Sequence, residues 1–129
     1  MLAVPAARVL IVDDSDDLRE FVAEVLEQAG AIVTAVATAD RALELVTQWQ
    51  PDVLISDLEM PGRGGYWLIA QVRALPPERG GMIPAACLTG RTGPEERASL
   101  LRAGFQYHVA KPFDMRTLIG VVGILALKP

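Results

Sequence analysis

Short apolar runs alternate with longer, helix-like segments along the whole chain. Five of these runs are rich in β-branched or aromatic residues and have the length of strands. Their apolar character is nearly continuous, which is typical of strands buried on both faces of a sheet. We therefore predict strands over Arg8–Val12, Ala31–Val36, Val53–Ser56, Ile83–Leu88 and Tyr107–Ala110.

Each predicted strand is followed by a segment with the features of a helix, most often apolar residues at three- and four-residue steps, the spacing of one helix face. Ser15, Thr38 and Asp114 precede three of these segments and have side chains suited to capping a helix N-terminus. Pro94, two residues after Thr92, suits the first position of the fourth helix. The five helices are predicted to end near Gly30, Pro51, Leu75, Gly104 and Leu127.

Strict alternation of strands and helices predicts an α/β fold with a parallel sheet and helices on both faces. Right-handed crossovers leave few topologies for five such units, and the doubly wound strand order 2-1-3-4-5 is the one we expect. An eight-unit barrel would need about twice this length. The 129 residues suit a single domain, with a core over about residues 8–127.

Polar residues stand at the ends of four predicted strands. Asp13 and Asp14 follow the first strand, Asp57 the third, Thr89 the fourth and Lys111 the fifth. Parallel strands place these ends at one edge of the sheet, and strands 1, 3, 4 and 5 are consecutive neighbours in the expected order. Residues almost a hundred positions apart are therefore predicted to converge on one crevice.

This set of side chains has the composition of a phosphoryl-transfer site. Two carboxylates about 5 Å apart repel by roughly 3 kcal/mol at an effective dielectric constant near 20, so such a cluster favours a bound cation. Mg²⁺ suits carboxylates, a backbone carbonyl and waters. Asp57 can act as a nucleophile, Lys111 supplies a positive charge and Thr89 a hydroxyl donor. Each residue alone is compatible with a turn or a cap; their joint placement favours a site.

Composition and charge argue against other classes of function. The formal net charge is −4, which does not suit a nucleic-acid surface. No apolar run reaches the roughly 18 residues of a membrane span, and the N-terminus lacks the positive region of a signal peptide. Cys87 is the only cysteine, so no internal disulfide is expected. We expect a cytoplasmic protein that does not bind a membrane.

The motifs at the strand ends resemble those of response regulator receiver domains of two-component signalling. The matching segments, in order and at family-like spacing, are VLIVDDS (Val9–Ser15), VLISDLEMPGRGG (Val53–Gly65), CLTG (Cys87–Gly90) and GFQYHVAKPF (Gly104–Phe113). The resemblance covers essentially the whole chain, residues 1–129. It implies a flavodoxin-like (βα)₅ receiver fold and a signalling module that catalyses its own phosphorylation and dephosphorylation, rather than a conventional enzyme.

The resemblance also implies a role for each site residue. Asp57 would accept a phosphoryl group from a phosphohistidine on a sensor histidine kinase or phosphotransfer domain. Asp14, Asp57 and the backbone carbonyl of Glu59 would ligate Mg²⁺ directly, and Asp13 through water. Lys111 would contact the phosphoryl oxygens, and Thr89 would move to hydrogen-bond them.

The same resemblance implies local backbone features. The Lys111-Pro112 peptide would be cis. Gly62 and Gly65 would let the chain turn closely beside the metal.

Two features depart from the family pattern. The switch aromatic of the family falls three residues before the lysine, where this chain has His108. His108 is therefore a candidate switch residue, with packing at the sheet edge as the alternative. No DNA-binding or enzymatic module is expected after the last helix, and both a stand-alone regulator and the receiver of a hybrid kinase fit. A homodimer through the last two βα units is also compatible.

Two other functions compete with the receiver interpretation. A phosphatase of the haloacid-dehalogenase type would use Asp14, within Asp14-Ser15-Asp16, as its nucleophile. A pseudo-receiver would be a binding module with an inactive site, which the presence of all five site residues argues against. Glu59 and Arg91 flank the expected route of attacking water, either as solvated charges or as residues that tune the lifetime of the phosphoryl group.

Overall fold

Five strands and five α-helices alternate in the described part of the chain, as the periodicity predicts, with one short 3₁₀ helix (Pro77–Arg79) before the fourth strand. The computed structural model describes residues 6–91 and 93–127. The strands are β1 (Arg8–Val12), β2 (Ile32–Val36), β3 (Val53–Asp57), β4 (Ala85–Thr89) and β5 (Tyr107–Ala110). The helices are α1 (Asp16–Gln28), α2 (Ala39–Gln48), α3 (Gly65–Arg73), α4 (Pro94–Ala103) and α5 (Met115–Leu125).

All strand pairs are parallel, and the sheet has the order β2-β1-β3-β4-β5. The predicted α/β fold and its doubly wound order 2-1-3-4-5 are thus confirmed. Helices cover both faces of the sheet. Successive residues of a strand point to opposite faces, so each strand contributes side chains to two cores. Leu10 of β1 packs into the core beneath α2, α3 and α4, whereas Val9 and Ile11 pack beneath α1 and α5.

The predicted N-terminal caps are confirmed. The Ser15 side chain accepts a hydrogen bond from the Leu18 backbone N–H at the start of α1, and Thr38 and Asp114 act in the same way at α2 and α5. Pro94 lies at the start of α4. Thr92, which belonged to the predicted start signal, and residues 1–5 of the N-terminus used in the signal-peptide argument lie outside the described residues.

Some element boundaries differ from the prediction by one or two residues. β4 begins at Ala85 rather than Ile83, because the Ile83 N–H is bound to the Gly80 carbonyl in a turn and Pro84 has no N–H to give to the sheet. β3 and β4 extend one residue further than predicted, to Asp57 and Thr89. Within the described residues, no helix is both long and apolar enough to cross a membrane.

Candidate functional site

The polar strand-end residues lie at the carboxyl edge of the sheet. Asp57 and Thr89 are the last residues of β3 and β4, while Asp13 and Lys111 directly follow β1 and β5. Asp57 pairs with Leu88 in the β3–β4 register, so β4 extends one residue beyond β3, to Thr89. The sheet therefore brings residues from four strands to one crevice.

Three carboxylates meet in this crevice. One oxygen from each of Asp13, Asp14 and Asp57 lies within 4.8 Å of the other two. Asp13 and Asp57 are buried and Asp14 is exposed. Burial is the main cause of a raised pKa at Asp13, the nearby charge of Asp57 raises it further, and a backbone hydrogen bond from Ser15 opposes the shift.

The buried carboxylate of Asp13 has one bound and one free oxygen. Oδ1 accepts the Ser15 backbone N–H at 2.9 Å, which fixes the orientation of the side chain. Oδ2 is buried, and it has no hydrogen-bond partner among the described residues. A buried carboxylate oxygen without a donor is costly unless a cation or water satisfies it. This orphaned oxygen, within a cluster of three carboxylates, fits a hard cation such as Mg²⁺.

Lys111 supplies the positive charge next to Asp57. Its Nζ lies 2.9 Å from Asp57 Oδ1, and the Asp57 side chain is only 8% exposed. The backbone N–H of Lys111 donates to the Thr89 carbonyl at 2.8 Å, which holds the loop after β5 against β4. The Lys111-Pro112 peptide is cis, as the family resemblance implied.

Thr89 is buried beside a cavity that opens over Asp57. Its Oγ1 accepts the backbone N–H of Arg91 at 3.0 Å, so the hydroxyl proton is free for another acceptor. The cavity has a volume of about 350 Å³ and is lined by Asp57, Glu59, Thr89, Gly90, Arg91 and Lys111. A phosphoryl group on Asp57 would be surrounded by the side chains of this cavity.

Gly65 lets helix α3 start directly against the acceptor strand. A Cβ at this position would lie 2.7 Å from the Asp57 carbonyl oxygen and 3.0 Å from the Leu58 Cα. No side chain fits there without moving the backbone of β3. The requirement at Gly62 is different, since it has a φ of +76° in open space.

His108 does not line the acceptor cavity. In the β4–β5 register it lies beside Cys87, whereas Ala110 lies beside Thr89. His108 therefore faces the same side of the sheet as Thr89, but it lies two residues before the position that pairs with Thr89. It is half-buried and lines a separate cavity of about 310 Å³ together with Arg97 of α4. The switch role of His108 stays a prediction.

Sequence reasoning missed two contacts around the site. Arg19 donates from Nη1 to the Asp13 backbone carbonyl at 2.8 Å and pairs with Asp16, so it supports the acidic loop from α1. Glu59 and Arg91 form an ion pair at 2.6 Å between Oε1 and Nε. An arginine four residues after the cap Ser15 was the available signal for the first contact. No sequence spacing marks the second.

Cys87 lies on β4, two residues before Thr89, and is fully buried. Burial, with a smaller contribution from the charge of Asp57, raises the pKa of its thiol to about 12. The thiol is therefore protonated and unreactive in the folded protein, in agreement with its interpretation as a small buried side chain.

Known proteins share both this sequence pattern and this fold. The family profile described as response regulator receiver domain matches residues 9–123. An uncharacterized 14.6 kDa protein in the sodA1 3′ region of Leptolyngbya boryana is 41% identical, over 88% of this chain and 86% of that protein. A crystal structure of a putative response regulator from Chloroflexus aurantiacus is 32% identical with a TM-score of 0.86, over 95% of this chain and 99% of that one.

Some relatives are much longer than this chain. The sensor protein GacS of Pseudomonas syringae is 35% identical over 94% of this chain, which spans only 14% of that protein. The family profile, the sequence relatives and the shared fold agree with one another. This chain belongs to the response regulator receiver domain family of two-component systems.

Proposed function

We propose that this chain accepts a phosphoryl group on Asp57, in a Mg²⁺-dependent reaction, and passes the signal on by a change of conformation. The supporting observation is that, among the residues the structure describes, Asp57 is the one carboxylate that both shares the acidic cluster and lines the cavity with Thr89 and Lys111. It also carries the ion pair to Lys111 at 2.9 Å. The nucleophile and the groups that neutralise charge are therefore already together.

The phosphodonor in this proposal is a phosphohistidine of a sensor histidine kinase or a phosphotransfer domain. One Asp57 oxygen forms a bond to phosphorus while the P–N bond to the donor breaks, and the imidazole nitrogen keeps the electron pair. Lys111 neutralises charge on the phosphoryl oxygens, and the free proton of the Thr89 hydroxyl is available to hydrogen-bond them. A cytoplasmic location and a single domain over residues 1–129 belong to the same proposal.

Asp13, Asp14, Asp57 and the carbonyl of Glu59 would hold the metal. Bound Mg²⁺ would supply charge neutralisation for the carboxylates and the phosphoryl oxygens. Asp13 Oδ2, which is buried without a hydrogen-bond partner in the described part of the chain, would be satisfied by such a cation or its water. Arg19 and Ser15 hold the Asp13 loop in place through the Asp13 backbone carbonyl and Asp13 Oδ1, respectively.

Intact-protein and peptide mass spectrometry after treatment with acetyl phosphate tests the proposal. We expect a gain of one phosphoryl group on Asp57 in the presence of Mg²⁺, and no gain with EDTA or in Asp57→Asn. Asp14→Asn is the matched control, because it removes a metal ligand and keeps the acceptor. It should be labelled slowly but still on Asp57.

The other outcomes identify the competing functions. Labelling of Asp14 in the wild-type chain would contradict the proposal and support a phosphatase of the haloacid-dehalogenase type. No labelling under any condition, together with no Mg²⁺ binding by the wild-type chain, would instead indicate a pseudo-receiver.

A further inference from the structure

The β3–α3 loop, residues 58–64, carries the Glu59 carbonyl that belongs to the proposed metal site. The two ends of the loop are joined, because the Gly65 N–H donates to the Leu58 carbonyl at 2.9 Å. Between these ends, the backbone N–H groups of residues 59–64 have no acceptor within the described part of the chain. The conformation of the loop is therefore held by side chains.

The two halves of this loop are held by different side chains. In the first half, Met60 packs against the core and Glu59 pairs with Arg91. The second half leads into α3 through residues 62–65, which read GRGG. Glycine leaves the backbone many conformations, and Arg63 is the one residue of these four with a side chain. The order of the second half therefore depends on the contacts of Arg63.

Arg63 contacts two helices. Its Nη1 lies 3.1 Å from Oδ1 of Asp40, which is in the first turn of α2. Its Cζ lies 4.3 Å from the centroid of the Trp67 ring on α3, in a cation–π contact. Trp67 is half-buried and packs against the core, so it offers a fixed surface to the guanidinium. Arg63 thus joins the loop to α2 and to α3.

These contacts are weak, but a loop without backbone hydrogen bonds responds to weak contacts. Arg63 and Asp40 are 58% and 65% exposed, so their ion pair supplies little stability to the fold. A loop that adopts its binding conformation for only part of the time binds its ligand with an affinity reduced by that fraction. Contacts that favour the ordered loop therefore raise the affinity for the ligand.

We infer that Arg63 is a positioning residue for the metal site. Through Asp40 and Trp67 it keeps the loop that carries the Glu59 carbonyl in its ordered conformation, and it thereby raises the affinity for Mg²⁺. Because such coupling is reciprocal, bound Mg²⁺ also stabilises the first turn of α2 through Arg63. This inference rests on the proposed function, because it assumes that the acidic cluster and the Glu59 carbonyl bind the metal.

The direction of the effect separates this role from simple electrostatics. Arg63 is a cation on the loop that follows the acceptor strand. Its charge alone would repel Mg²⁺, so by Coulomb's law its removal would tighten metal binding. A positioning role predicts the opposite, which is weaker binding when Arg63 is removed.

Isothermal titration calorimetry of Mg²⁺ binding to Arg63→Gln tests the inference. The dissociation constant should rise by about two- to fivefold, the range of ratios that one exposed contact of this kind supplies. Arg63→Lys should lie between the wild type and Arg63→Gln, because an ammonium group can pair with Asp40 but stacks less well on Trp67. The double variant Asp40→Asn/Arg63→Gln should bind like Arg63→Gln, because Asp40 acts through Arg63.

Arg41→Gln is the matched control. It removes the same charge from an exposed ion pair on α2, that of Arg41 with Glu44, and leaves the contacts of Arg63 in place. Its dissociation constant for Mg²⁺ should be that of the wild type or slightly lower.

Two NMR measurements follow the loop and the helix directly. In EDTA, the backbone order parameters of Gly62 and Gly64 should be lower in Arg63→Gln than in the wild type. The Arg41 and Ala42 amides, which close the first turn of α2 on Thr38, report the helix. Mg²⁺ should slow their hydrogen exchange in the wild type and not in Arg63→Gln.

The results that overturn the inference differ from those that overturn the proposed function. A dissociation constant that is unchanged or lower in Arg63→Gln overturns it, and so does an equal rise in Arg41→Gln. Equal order parameters in the two proteins, or an equal effect of Mg²⁺ on their α2 amides, have the same meaning. A wild-type chain that binds no Mg²⁺ contradicts the proposed function itself, whereas the order parameters in EDTA test the contacts of Arg63 without metal.

Discussion

Helix α4 is held in different ways at its two ends. At the C-terminal end, the Gly104 carbonyl accepts hydrogen bonds from Arg73 Nε at 3.1 Å and Nη2 at 2.7 Å, and the buried Phe105 follows. At the N-terminal end, Gly93 has a φ of +131° and no side-chain cap. The exposed ion pair of Arg91 with Glu59 joins the loop before Gly93 to the loop that follows β3.

The two ends of α4 differ in whether water can replace the contacts that hold them. Arg73 is partly buried, and burial lowers its pKa. Its Nη1 also donates to the Gly81 carbonyl, so breaking its contacts would leave the carbonyls of Gly104 and Gly81 without these donors. Arg91 and Glu59 can exchange each other for water at little cost. The weakly held end of α4 is also the end beside the acceptor cavity. A new charge on Asp57 would therefore act where the helix is least restrained.

The largest expected effect is on stability, from Arg73→Met. This change keeps much of the side-chain volume and removes every donor, so the free energy of unfolding should fall by about 2–3 kcal/mol. Arg91→Gln should change it by less than about 0.5 kcal/mol, because both partners are exposed. Urea denaturation of the two variants measures this difference. Equal losses would mean that the two ends of α4 are held equally strongly.

A smaller difference is expected between the glycines that flank α4. Both have a positive φ, but a Cβ at Gly104 would lie 2.9 Å from Arg73 Cγ, whereas nothing lies within 4 Å of a Cβ at Gly93. Gly104→Ala should lower the free energy of unfolding by about 2 kcal/mol, and Gly93→Ala, where only backbone strain applies, by about 1 kcal/mol. Chemical denaturation of both variants tests this order. The reverse order would contradict the anchoring role of Arg73.

The smallest expected effect is a pH dependence that comes from the buried carboxylate of Asp13 in the acidic cluster. Because burial raises the pKa of Asp13, the folded protein binds that proton more tightly than the unfolded chain does. Stability should therefore be lost as pH rises through the folded pKa of Asp13. Asp13→Asn keeps an oxygen for the Ser15 N–H and removes this titration.

The pH effect appears as a difference between two proteins. In EDTA, Asp13→Asn should be the more stable at neutral pH, and the difference from the wild type should shrink on acidification to about pH 4. Urea denaturation at several pH values measures it. A difference that is independent of pH would show that the carboxylate of Asp13 is not destabilised by burial.

The parts of the site that the sequence predicts are those that depend on strand order. Asp13, Asp57, Thr89 and Lys111 could be placed at one edge because a parallel sheet aligns the ends of its strands. Helix starts were equally accessible, since a cap such as Ser15 acts within one turn of the chain. Such interactions are local or follow from topology, and both kinds leave a pattern in the sequence.

The contacts that distinguish the two ends of α4 leave no such pattern. Arg73 donates to backbone carbonyls, and every residue type has a carbonyl. The pair of Glu59 and Arg91 depends on how two loops approach each other, which spacing along the chain does not fix. Gly120 and Gly123 have a low helix propensity, but α5 runs through both, because its packing against the core outweighs that propensity.

The buried thiol of Cys87 can report when the central sheet opens. It is the only cysteine of the chain and lies in the strand that carries Thr89. A thiol reagent can reach it only when β4 opens, so the rate of labelling measures the opening equilibrium of the sheet in native buffer. The time course of its reaction with a chromogenic disulfide would then give the local stability beside Asp57 in each variant, and no cysteine has to be introduced for the measurement.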